Sequence, residues 1–148
     1  MTKNPYASLA LQTVLGGIVM YLVMFVMIDG LGSFYNNLNM LYMTLMMATP
    51  MIVLMILAMP HMFPSRALNI ALLAGSAVLF LGSFALIRTQ TTIGDREFLR
   101  SMIPHHSGAI LMCKEASLRD PEIVALCREI IRSQRQEIDQ MKAILARK

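Results

Sequence analysis

Charge is scarce in this sequence, and the scarcity is confined to one end. Asp, Glu, Lys and Arg make up 15% of the 148 residues against 56% hydrophobic, a deficit that excludes an ordinary soluble domain. Between positions 2 and 87 formal charge rests on Lys3, Asp29 and Arg66, whereas the segment after Arg88 is densely charged. The pattern is that of a membrane half joined to a soluble half. Other absences argue against enzymes. No Glu is followed three residues later by His, as a di-iron carboxylate bundle requires. His-Glu-x-x-His, Cys-x-x-Cys and a glycine-rich phosphate loop are all missing. Cys113 has histidines near it, but one hairpin offers thiol catalysis neither an orienting partner nor a cleft. No enzymatic activity is expected. Nor does the net charge of +4 point to nucleic acid, because the basic residues of the tail alternate with Glu and Asp on helical faces.

What is present begins with three apolar runs, 7–28, 38–59 and 67–87, each about the 20 residues that a helix needs to cross a bilayer. The first follows Lys3, and Gly30-Leu31-Gly32 loosely resembles a cleavage site. Its apolar core is too long for a signal peptide, and two more spans follow. The reading is a membrane domain over 1–90 and a helical hairpin over 91–148. Lys3 and Arg66 favour a cytoplasmic amino terminus and second loop, and Arg88, Arg96 and Arg100 argue the reverse. Short loops weigh more than a folded tail, so the hairpin is expected on the periplasmic or extracellular side of a bacterial inner membrane.

Methionine is abundant, at 15 residues. Met43, Met47, Met51, Met55 and Met59 recur every four residues, with Met20, Met24 and Met27 a shorter row in the first span. A step of four drifts about 40° around a helix, so the row spirals, and Pro50 bends its carrier. Two readings stand: adaptable packing between helices and lipid, or a thioether ladder that passes Cu(I) or Ag(I). Repeated Met-x-x-x-Met in the second of three spans is similar to eukaryotic copper importers, although their glycine-spaced third span is not matched by Gly75 and Gly82.

After Gly94, Asp95 is expected to cap a helix with an apolar stripe of Phe98 or Leu99, Met102, His106, Ala109 or Ile110, Cys113 and Ala116. Pro104 lies inside it, releasing the carbonyl of Arg100 ahead of the histidine pair. Asp120-Pro121-Glu122 then starts a second helix: cap, fixed-φ first residue, and an acid at the positive helix end. Its inward stripe is Ile123, Leu126 or Cys127, Ile130, Gln134, Ile138, Met141 and Leu145. If the turn falls near Asp120, facing residues sum to about 240, which pairs Leu99 with Met141, His106 with Gln134, and Cys113 with Cys127. The cysteines then lie near enough for a disulfide in an oxidising compartment, or for thiols open to a soft metal in a reducing one. His105, about 100° around the helix from His106, is expected to turn outward.

Asp95, Phe98, Met102, His105, His106, Ala109, Met112, Gln134, Glu137, Ile138 and Met141 together resemble the ferritin-like domain of unknown function 305, whose signature is a double histidine after Met-x-Pro. The resemblance covers the last third of the chain. It implies a half-bundle of ferritin type, secreted or periplasmic relatives, and copper or silver binding in some of them. The family commonly has two hairpins where this chain has one, and a small residue where it has Cys113.

The expected fold is therefore all-α: three transmembrane helices, then an antiparallel helical hairpin. Two hairpins would make a four-helix bundle, most simply in a homodimer through Ile103, Ile110, Ile130 and Ile144, taken as outward-facing. The expected function is a membrane-anchored binder that holds or hands on copper, as Cu(I) or Cu(II), or silver. Its candidate ligands are Met102, His105, His106, Met112, Cys113, Gln134, Glu137 and Met141. The alternatives are a copper transporter using the methionine ladder and an accessory subunit docked in a larger membrane complex.

Overall fold

The computed structural model describes residues 4–148, and among these it contains helices and turns and no strand. Five α-helices follow in order: α1 (Pro5–Val23), α2 (Leu38–Ala58), α3 (Arg66–Thr89), α4 (Asp95–Glu115) and α5 (Pro121–Leu145). The first span runs on through a 3-10 turn, Met24–Met27, so that Pro5–Met27, α2 and α3 are the three helices long and apolar enough to cross a membrane. At about 1.5 Å per residue, even the 21 residues of α2 reach about 30 Å, the thickness of a hydrocarbon core.

Two compact units emerge: residues up to Val23 with Asn39–Thr92, and Met24–Leu38 with Ile93–Lys148. In the first, small or hydroxylated residues, Thr44, Ala48, Thr49, Ser76 and Ser83, lie buried, while Val14, Ile18, Leu54, Leu57 and Val78 face outward. This is the arrangement expected in lipid, where close helix approach rather than apolar burial drives packing. At one end the Tyr6 hydroxyl donates to Asn69 Oδ1 at 3.0 Å and accepts from the Ser65 amide at 2.9 Å. Ser65 in turn caps α3. At the other, Gln90 holds the left-handed cap of α3 and exchanges amide hydrogen bonds with Asn39.

The second unit is the hairpin with the first loop folded onto it. Asp120 caps α5 as expected, accepting from the amides of Glu122 and Ile123. The expected cap of α4 is displaced by one residue: Gly94 takes that position, and the Asp95 carboxylate pairs instead with the Lys148 ammonium. That cation holds the Asp95 carboxyl below its ordinary range, first through the hydrogen bond and then through its charge.

The apolar centre consists of Leu99, Ile103, Ile110, Ile138 and Met141, with Met102, Tyr35, Ile131, Ile144 and Leu145 packed around it. Ile103, expected on the outside, is 0% exposed, and Ile110, which the pattern put both on the inward stripe and at the outer face, is 2% exposed. The reason is that α4 is covered on two sides. Facing α5 it carries the seam, and the face bearing Ser107 and Gly108 receives Met24–Leu38. Ser107 Oγ accepts from the Asp29 amide at 2.7 Å, and Lys114 Nζ donates to Asp29 Oδ2 at 2.7 Å. Glu97 Oε2 accepts from the Leu38 amide. Gly108 leaves room for the Met27 carbonyl, 3.4 Å from where a Cβ would stand. The apolar side chains left outside on the hairpin are Phe98, Met112, Ile123 and Leu126: of the paired candidates Leu99 and Cys127 take the seam, and Ile123, expected inward, lies too near the start of α5 to be covered.

Two stability predictions follow from this packing. Ile103→Ala should cost about 2–5 kcal/mol, the range for truncating a buried aliphatic side chain, measured by thermal unfolding of the detergent-solubilised protein. A loss under 1 kcal/mol would mean that the face is open. Replacing Cys113 and Cys127 by Ser should cost about 3 kcal/mol, the value for closing a loop of about 15 residues. Unchanged denaturation would show that no cross-link forms in the purified protein.

Candidate metal centre

Cys113 and Cys127 are joined in a disulfide with Cα atoms 5.3 Å apart, so the seam has the cysteine layer expected of its numbering. Leu99 and Met141 lie in one buried cluster at the other end of the hairpin. Between these layers His106 meets Glu137, not Gln134: Nδ1 and Oε2 are 3.0 Å apart. Side-chain direction accounts for the difference. On antiparallel helices each side chain leans toward its own helix amino terminus, so long residues that touch have numbers summing above 240. The short cysteines stay at 240, and His106 with Glu137 reaches 243.

The contact is a charge contact without hydrogen-bond alignment, for His106 Nδ1 is buried and has no hydrogen-bond partner. Burial is the main force on this imidazole and pushes its pKa below the ordinary 6.5. The Glu137 carboxylate pulls it back up, and His105 adds a smaller downward push. The ring therefore favours the neutral form, the form that binds metals.

His105 points outward and is exposed, its ring centroid 5.9 Å from that of His106. Met102 is half-buried against the core, three and four residues before the histidines. Met141 is 9% exposed inside that core. Gln134 is half-buried one turn from Glu137, and Met112 is exposed. While the disulfide holds, Cys113 presents no thiolate. Among the described residues no three His, Cys, Asp or Glu side chains are grouped to hold an ion. The arrangement thus sets His106 against Glu137 and leaves the His105 ring beside it on the outer face, with the Met102 thioether one turn away and the other candidates apart from them. The Asp29–Ser107–Lys114 contacts were not anticipated, although the small pair Ser107-Gly108 beside an otherwise apolar stripe was a signal for close backbone approach.

Fold and site together define an all-α chain in which apolar spans precede a double-histidine hairpin. The model of the domain of unknown function DUF305 matches residues 84–145. A protein of Acanthamoeba polyphaga mimivirus, described as uncharacterized, is 39% identical over 120 residues, 79% of this chain and 76% of that one. That alignment is longer than the domain match, so the likeness extends into the apolar part. The chain carries a DUF305 domain over residues 84–145. No solved structure matches it.

A soft ion fits part of this donor set. Two imidazoles and the Met102 thioether are the donor types that Cu(I) and Ag(I) accept, and the orphaned Nδ1 of His106 is a buried polar atom in want of a partner.

The lowered pKa fixes a pH dependence. As pH falls below about 6.5 the unfolded chain takes up a proton that folded His106 resists, so stability is full above that value and declines down to the lowered one. Glu137→Gln removes the upward pull. The His106 titration midpoint, followed by its ring protons in NMR, should then move further down, and an upward move would show that the carboxylate does not act on this ring.

Proposed function

We propose that the hairpin is a membrane-anchored binding site for a soft metal ion, Cu(I) or Ag(I), held by His105 and His106 with Met102 beside them. The observation that carries this reading is the buried, unpartnered Nδ1 of His106, set against Glu137 with the second imidazole 5.9 Å away. A core histidine with a purely structural role would be expected to satisfy that nitrogen. Glu137, with Oε2 3.0 Å from that nitrogen, would place a negative charge beside the ion. The ion supplies a positive centre that joins the two rings. The chain's own part is to keep one imidazole neutral, to hold its ring between the core and Glu137, and to leave His105 open for exchange with a donor or acceptor of the ion.

The three spans fix this site at a bilayer, and the disulfide supports placing the hairpin on the oxidising side of it, where such bonds persist. Binding and handing on of copper or silver across that surface is the function that best joins these features.

Replacing Met102 by Leu and both histidines by Ala tests it. Tight Ag(I) binding at the hairpin should weaken by at least 100-fold in competition with a chelator, with helical circular dichroism nearly unchanged, since ligands half-exposed in the metal-free protein add little to folding. Equal affinity in parent and variant would remove the hairpin from metal binding.

A further inference from the structure

The methionines of the spans do not all face the same surroundings. Met43, Met47 and Met51 are 46%, 42% and 55% exposed on α2, so what sets Met51 apart is the space it borders and not its burial. Met51 and Met55, one turn apart on the same helix face, line a cavity of about 120 Å³ between α1 and α2, and Met20 of α1 lines it from the other side. Gly16 and Ala48 border the same space, and their small side chains leave it open. Methionine is the side chain best able to fill an irregular gap, yet three of them surround this one without closing it.

Two polar side chains of the first span border the same space, the exposed Gln12 and the half-buried Thr13. Polar groups at membrane depth are costly and mark sites of function by default. The donor set is thus three neutral thioethers, an amide and a hydroxyl, without a carboxylate. Hard divalent cations require several oxygen ligands, whereas thioethers select soft ions of low charge.

We propose that Met20, Met51 and Met55 form a soft-metal site for Cu(I) or Ag(I) within the membrane unit, with the Gln12 amide facing the bound ion. It stands on the span residues alone and does not require the hairpin site.

The test uses the full chain in lipid nanodiscs, titrated with Ag(I) against a competing chelator. Met20→Leu, Met51→Leu and Met55→Leu together keep side-chain volume and remove the sulfur; they should abolish one equivalent of bound silver. Met43→Leu with Met47→Leu should change nothing. In the hairpin variant lacking Met102, His105 and His106, one equivalent should remain, and X-ray absorption of that variant loaded with Cu(I) should show a shell dominated by sulfur. Absence of bound copper there, or a shell of nitrogen and oxygen without sulfur, would overturn the proposal. So would a cavity variant that binds as many silver ions as the parent. The two sites are separable: loss confined to the cavity variant removes the hairpin reading and keeps this one, and loss confined to the hairpin variant does the opposite.

Discussion

The seam between α4 and α5 is the constraint from which the rest of the soluble unit follows. Two helices alone enclose little apolar surface, and this pair adds cover from two sources. The Cys113–Cys127 cross-link fixes the register near the turn, and Leu99, Ile103, Ile138 and Met141 fix it at the far end. Met24–Leu38 then closes the other side of α4 through Ser107, Gly108 and Lys114. With both ends held, the middle of the seam has little freedom, and it is there that His106 comes up against Glu137.

That placement gives the histidine its chemistry. Its surroundings strip away water and lower its proton affinity, while the neighbouring carboxylate opposes the shift without supplying an aligned hydrogen bond. On the proposed reading, a neutral imidazole with an unsatisfied nitrogen beside a carboxylate would accept a cation in place of a proton. His105, one residue earlier and about 100° around the helix, escapes the seam and stays in contact with solvent. One histidine is thus held by the fold and the other is accessible, a division suited to an ion that must be gained and given up.

Much of this was legible in the residues. The spans were plain because each of the runs 7–28, 38–59 and 67–87 passes without charge, and the α5 start because Asp120, Pro121 and Glu122 each serve a distinct need of a helix terminus. The cysteine layer followed from counting about a turn. The numbering misplaced His106 because it treats side chains as perpendicular to the helix, whereas their lean brings Glu137 into contact in place of Gln134. It also turned Ile103 outward and put Ile110 on both faces, since a stripe read against one partner helix ignores a second partner. The loop that covers them is joined to α4 by Asp29 and Ser107, 78 residues apart in sequence, and no local periodicity reports such a contact. The grouping of Met20 with Met51 and Met55 was hidden for the same reason: each row was visible on its own helix, and the facing of the rows was not.

The central claim is that the double histidine takes the ion. Nitrogen NMR of the histidine side chains in the full protein, recorded as one equivalent of Ag(I) is added, tests it most directly, because the three imidazoles are read separately. The account predicts large shifts of ring nitrogens in His105 and His106, with His61 of the second loop unmoved. Unchanged resonances of both hairpin histidines, with silver bound to the protein, would contradict it.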